Sequence, residues 1–296
     1  MNHATSRMES QQIGKPRQKA ERRLEFIEFR LYWERKINRA DLTEYFGISI
    51  IQASKDISKY QELAPDNLVY DKNKKYYCAS PQFEPKLIAP TSEYYLAQLL
   101  SIHSGASDKS DSFIGTLPDF DVLPAPVRLI DPNTLRTILH SINNKIDIEI
   151  YYQSMSRSEP VWRWIAPHVL SFDGLRWHMR AYCYLTECFK DFLIGRVLSV
   201  RDERAGSIDP SNDKAWQACI TAVIAPHPGL TENQKKIIEL DYGMINGTRE
   251  ITIKIDFLYY FLKRFGLGET DIDRKANEQQ IVLVNKKEIM KALNNT

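Results

Sequence analysis

Two groups of side chains in this chain have types and spacings suited to chemistry, and both suit phosphate. In the first, Lys55 and Lys59 are four residues apart, the repeat of one helix face, with Ser49, Ile51 and Gln52 just ahead of them. Lys72 and Lys74 follow on a polar tip formed by Asp71, Lys72, Asn73 and Lys74. Lysines can neutralise phosphates, a glutamine amide can pair with an adenine edge, and an isoleucine can meet a thymine methyl group. That combination fits double-stranded DNA. Simple solvation of the lysines, and packing of Ile51 on a neighbouring helix, are the plainer alternatives.

The second group is Tyr152, Ser154, His168, Arg176, His178, Arg180 and Arg196. Residues 151–201 hold seven Lys+Arg against four Asp+Glu, and arginine can hold a phosphate through paired hydrogen bonds. An anionic effector is the expected ligand. The alternative is that Arg180 and Arg196 serve structural pairs with Asp191 or Glu187. His168 and His178 could also be an acid and base acting on a phosphodiester. The chain carries no GxSxG, HExxH or GxxxxGK motif and no acidic cluster for two metals, so no catalytic residue, cofactor or metal is expected.

The elements that must position these groups follow from local signals. Leu24, Ile27 and Leu31, widened by Phe26, Phe29 and Trp33, predict a helix over 17–37. Asn38 caps a short helix, Arg39 to Tyr45, that Gly47 stops, and Ser49 caps another running through Lys59. On that helix Ile50, Ala53, Ile57 and Tyr60 fall on the inner side, while Ile51, Gln52, Lys55, Ser58 and Lys59 fall on the outer. Leu68–Tyr70 and Lys75–Cys78 flank the polar tip as a hairpin. The order is that of a winged helix-turn-helix.

Beyond Pro81, Pro85 and Pro90, helices are expected over Thr91–His103 and from Pro132, capped by Asp131, to about Asn143. Strands over 146–152, 162–170, 176–184 and 191–201 predict a small β-barrel. In the third, Trp177, Met179 and Ala181 take one face and Arg176, His178, Arg180 and Tyr182 the other. After Asp209 helix and strand alternate: a Thr231/Gln234 capping box, a strand Glu250–Ile255, a helix Asp256–Phe265 closed by Gly266, and a strand Gln280–Val284.

Composition sets outer bounds. The 296 residues are 43% hydrophobic and 26% charged, with a net charge of +2, which suits an ordinary chain of two or three small domains. Residues 1–60 hold 12 Lys+Arg against 8 Asp+Glu, so the excess of +4 lies around the proposed DNA reader and the remainder is at −2. Cys78, Cys183, Cys188 and Cys219 form no CxxC pair, so reduced, mostly buried thiols are expected. With no signal peptide and no apolar run of roughly 20 residues, a cytoplasmic location away from the membrane is expected.

Trp177, His178 and Met179, followed by Ala181, Tyr182 and Cys183, and then Asp191, Phe192 and Arg196, resemble the motif region of WYL-domain transcriptional regulators. Gln52, Ala53, Ser54 and Asp56, together with a tail containing Pro226, His227, Pro228, Gln234, Asp241, Tyr242, Gly243 and Met244, make the full-length arrangement similar to the BrxR and CapW regulators of bacterial anti-phage defence islands. His178 and Met179 depart from the family's tyrosine and leucine, and the histidine bears on which ligand is accepted. The resemblance implies a homodimeric repressor of a defence operon that binds a palindromic DNA operator. It also implies a barrel that senses a nucleotide or nucleic-acid fragment, and a tail that aids dimerisation.

The expected architecture is therefore an α+β multidomain chain. It comprises a mobile arm (1–16), a winged helix-turn-helix (17–80), a helical connector (81–144), an Sm/SH3-like β-barrel or WYL domain (145–205) and a C-terminal α+β dimerisation extension (206–296). A constitutive architectural DNA binder is the remaining alternative.

Overall fold

Side-chain caps set the helix boundaries in the N-terminal region. A computed structural model describes residues 19–124, 126, 128–268 and 274–294; the expected arm over 1–16 lies outside them. Helices α1 (Lys19–Glu34), α2 (Arg39–Phe46) and α3 (Ile50–Leu63) precede a hairpin of β2 (Leu68–Asp71) and β3 (Tyr76–Ala79). Asn38 accepts from the Asp41 amide while the Asp41 side chain accepts from the Asn38 amide, a reciprocal cap. Gly47 closes α2 with a left-handed φ of 64°, which glycine adopts without a Cβ penalty. Ser49 caps α3 by accepting from the Gln52 amide at 3.2 Å.

The first helix was expected to reach Ile37 but stops at Glu34. Arg35 turns left-handed at φ 58°, and β1 (Lys36–Ile37) then pairs with Cys78 and Tyr77 on β3. The hairpin thereby becomes a three-stranded sheet in the order β1-β3-β2. Ala53, Ile57 and Tyr60 turn inward onto Phe26, Ile27 and Leu31. Ile50 does not join them; it stands 65% exposed, because it occupies the first helical position, ahead of the stretch that crosses α1.

A buried carboxylate fixes this unit. Glu28, on α1 and fully buried, accepts backbone N–H bonds from Lys86 at 2.9 Å, Leu87 at 2.6 Å and Ile88 at 2.8 Å. The Tyr60 hydroxyl donates to it at 3.0 Å, and the Asn67 amide donates to Tyr60 at 2.9 Å. Burial, with the nearby Glu28 charge, pushes the Tyr60 phenol far above its usual range, so it remains a donor.

Helix α4 (Ser92–His103), capped by Thr91, packs its Tyr95 on Phe29 and Trp33 of α1. Leu99 and Ile114 are buried in the same cluster. The segment expected as a single connector over 81–144 therefore divides: the chain splits into two compact units after residue 125. The described residues to that point belong with the winged helix, and α5 (Pro132–Asn144) belongs with the second unit.

The second unit contains a five-stranded antiparallel sheet of β4 (Ile146–Tyr152), β5 (Val161–Phe172), β6 (Trp177–Cys183), β7 (Cys188–Leu193) and β8 (Val197–Ala205). Their order is β7-β6-β5-β4-β8. The strand expected over 191–201 is thus two, broken by a single 3-10 turn at Ile194–Arg196, and its halves lie on opposite edges. In a flat sheet those edges would stand about 19 Å apart, whereas four residues in a 3-10 turn cover only about 8 Å. The sheet must roll almost onto itself, which gives the expected barrel-like form. Ile138 of α5 packs on its core of Ile148, Ile150, Ile165, Met179 and Phe192.

The C-terminal part is a three-stranded sheet with β9 (Cys219–Pro226) between β10 (Arg249–Lys254) and β11 (Ile281–Leu283). Helices α7 (Glu232–Asp241), α8 (Leu258–Phe265) and α9 (Lys286–Asn294) flank it, and a short α6 (Lys214–Gln217) precedes it. Sequence reading did not single out β9 or α9. Among the four thiols only Cys183 is buried, while Cys188 and Cys219 are exposed, contrary to the expectation that most are covered.

Glu28→Ala would orphan three backbone N–H groups and the Tyr60 hydroxyl. It should destabilise the N-terminal unit by roughly 3–5 kcal/mol, and Tyr60→Phe by only about 1 kcal/mol, read as shifts of the urea midpoint of its transition.

Candidate nucleic-acid interface and anion site

The outer face of α3 gathers the first group of residues. Ile51 is 71% exposed, and with Ser54, Lys55, Ser58, Lys59 and Glu62 it lines one open concavity. Packing of Ile51 on α1 is not seen. Gln52 is half-buried and donates to Asp56 at 3.0 Å, and Asp56 is paired with Arg23 at 2.7 Å. Because an amide nitrogen carries two protons, that contact orients Gln52 and leaves one donor and the carbonyl oxygen for an adenine. Ser49 is exposed at the helix start. Lys72 and Lys74 stand exposed on the β2–β3 tip, with the Lys74 ammonium 4.0 Å from Asp71.

The second group separates. Tyr152, Arg176, His178 and Arg196, with Asp191 and Leu193, line a cavity of 250 Å³. The Tyr152 phenol accepts from the Leu193 amide at 3.2 Å. His178 and Arg176 share the Asp173 carboxylate at 3.0 and 2.9 Å. Although burial opposes it, these bonds and two backbone amides hold Asp173 well below the usual carboxylate range. Ser154 lies on the β4–β5 loop, hydrogen-bonded to Ser156 and away from that cavity.

Arg180 and His168 are elsewhere. Strand β6 is buried on both faces rather than presenting a charged surface: His178 and Arg180 are only 3% and 6% exposed, while Trp177 is 49% exposed against Phe172. Asp213, ahead of α6, and Asp256, ahead of α8, cover this face. Arg180 donates twice to Asp213 at 2.7 and 2.9 Å. It approaches Asp256 at 2.7 Å and Asp191 at 3.5 Å, in both cases without hydrogen-bond alignment. His168 donates to the same Asp213 at 3.1 Å and lines a different cavity from His178. Burial lowers the His168 pKa more than Asp213 raises it, so the imidazole is neutral near pH 7. The two histidines do not form one acid–base site.

Comparison with known proteins decides the family. Residues 19–101 match the winged helix-turn-helix domain of the BrxR transcriptional regulator, 133–202 a WYL domain, and 219–289 the BrxR C-terminal dimerization domain. The DNA-binding transcriptional repressor CapW of Stenotrophomonas maltophilia is 38% identical over 95% of both chains. The chain belongs to the BrxR/CapW family of WYL-domain transcriptional repressors. Repressors of the same name from Escherichia coli strain KTE188 and Pseudomonas aeruginosa are 37% and 36% identical, each over 91% of this chain and 90% of theirs. These family members are DNA-binding transcriptional repressors, and this chain carries the family's winged-helix, WYL and dimerization domains in the same order. No helix among the described residues is long and apolar enough to cross a membrane.

Sequence reading missed part of the cavity wall of this BrxR/CapW-family repressor: Tyr259, Tyr260 and Lys263 of α8 complete it. Their spacing places them on one helical face, but only the fold brings that face to β6 and β7. The Tyr260 ring lies 5.0 Å from His178, and burial pushes its phenol up to about 12.

Around Arg180 three carboxylates meet one guanidinium. Burial raises Asp191, whereas the Arg180 bonds pull Asp213 below its usual value despite burial. Asp256 is raised by burial, against the pull of Arg180, to about 6. Since its folded pKa exceeds the unfolded one, Asp256 contributes stability below about pH 4 that is lost as pH rises through 6. Relative to Asp256→Asn, the parent protein should therefore lose up to roughly 3 kcal/mol between those limits. Paired urea titrations across that pH range check the sign.

Proposed function

We propose that this repressor binds a palindromic operator as a homodimer, controls a phage-defence operon, and changes its DNA affinity when an anionic effector, a nucleotide or nucleic-acid fragment, occupies the WYL region. The observation that carries the DNA reading is the outer face of α3: an exposed isoleucine beside two lysines that have no carboxylate partner among the described residues, on a helix whose inner face is locked to α1. Two such helices enter successive major grooves with half-sites about 34 Å apart, or a multiple of that. Gln52 and Ile51 read bases, while Ser49, Lys55, Lys59, Lys72 and Lys74 hold phosphates.

In operator binding measured against salt, Lys55→Ala should weaken all sequences alike and lower the salt slope by about one. Gln52→Ala should instead cost about 1–3 kcal/mol of discrimination at one A·T position. Preserved discrimination with the glutamine gone would refute the base-reading role.

For the dimer, the region matching the dimerization domain exposes Ile237 and Leu240, three residues apart on α7, and Ile245 just beyond it, at 63%, 80% and 77%. A self-complementary contact between two copies of this face covers them. Ile237→Lys with Leu240→Lys should give a monomer by sedimentation that still occupies a single half-site. A double variant that remains dimeric would move the interface to another surface.

A further inference from the structure

The cavity described above has two walls. One is the β6–β7 side of the WYL sheet, with Arg176, Asp191 and Arg196; the other is α8 of the C-terminal domain, with Tyr259, Tyr260 and Lys263. Its polar groups differ in how far they are already engaged. Arg180, which directly follows the Trp177-His178-Met179 motif, is engaged by Asp213 and Asp256. Arg176 gives its Nε to Asp173 and retains its terminal nitrogens. The guanidinium of Arg196 and the ammonium of Lys263 have no carboxylate partner among the described residues; Lys263 only approaches the Tyr259 ring, at 5.8 Å. The cavity therefore holds unneutralised positive charge contributed by both walls.

One acceptor is unsatisfied as well. Oδ1 of Asp191 is buried, and the only cation near it among the described residues, the Arg180 guanidinium at 3.5 Å, makes no aligned hydrogen bond to it, so it can still accept from a donor. A bare anion supplies none, but a ligand hydroxyl or amino group does. Tyr259 is 53% exposed and offers a ring face at the rim. At 250 Å³ the space is just below the roughly 300–1,000 Å³ of drug-sized sites, so it suits one phosphorylated nucleoside rather than a length of strand.

We propose that the effector site is shared between the WYL sheet and the C-terminal domain, and takes a nucleoside phosphate, free or at the end of an oligonucleotide. Arg196 and Lys263 grip the phosphate from opposite walls, Asp191 accepts from a sugar hydroxyl or base amino group, and the base rests by Tyr259. A ligand held this way bonds to the sheet and to the domain that carries dimerisation at once, so it favours whichever arrangement brings Lys263 toward Arg196. The proposal rests on the reading of the WYL region as an effector sensor.

Calorimetry on the full chain tests it with inorganic phosphate, adenosine 5′-monophosphate, and a short oligothymidylate with and without a 5′-phosphate. The phosphorylated nucleoside or strand should bind, with removal of the phosphate weakening binding at least about tenfold. Arg196→Ala and Lys263→Ala should each weaken it at least about tenfold, with Lys263→Arg close to the parent and thermal unfolding little changed, since Lys263 is exposed and the half-buried Arg196 has no carboxylate partner among the described residues. If Arg196→Ala abolishes binding while Lys263→Ala leaves it intact, the shared site is wrong and sensing by the sheet stands. If no probe binds the parent protein, both readings fall. Binding of the mononucleotide alone or of the strand alone assigns the source of the phosphate.

Discussion

The N-terminal unit is organised around a charge that water does not reach. Glu28 would be strongly destabilising in the core of Phe26, Ile27 and Leu31 if its oxygens were unpaired. Three consecutive backbone amides from 86–88 and the Tyr60 hydroxyl satisfy them. The consequence is mechanical. Because Tyr60 belongs to α3 and the amides to the segment leading into α4, one carboxylate ties the reading helix, its supporting helix and the following chain to a common point. The side of α3 that faces away is then presented at a fixed angle without using any of its own side chains.

A related device in the second unit has the opposite sign. There the buried group is a cation, Arg180, and carboxylates from before α6 and before α8 close over it. Burial, with the neighbouring Asp191 and Asp213 charges, raises Asp256 to about 6 against the pull of Arg180, so this brace changes its charge in mildly acidic solution. It also divides labour among the basic residues of the sheet. Arg180 holds domains together, whereas Arg196 and Arg176 face a cavity.

This division shows why the sequence could be read so far and no further. Caps and periodicity depend on neighbours within four residues, and Asn38, Gly47, Ser49, Asp131 and the Thr231/Gln234 box act as their chemistry requires. The strand over 191–201 failed as a single element because nothing local distinguishes a continuous strand from one broken at Gly195 and continued on the opposite edge. The outward face of β6 failed for a related reason. Alternation states which residues share a side, but burial of that side depends on what lies across from it, and Asp213 and Asp256 are 33 and 76 positions away from Arg180.

The sequence by itself determined the winged helix-turn-helix, the run of short strands, the family resemblance and the outer face of α3, since all of these are written in local spacing and residue type. Only the tertiary structure decided that α4 joins the N-terminal unit, that Arg180 and His168 are enclosed by carboxylates, and that α8 supplies a wall of the cavity with Arg196. The physical reason is that a side chain's charge is intrinsic, whereas its partner and its exposure to water are set by segments the fold brings from far along the chain.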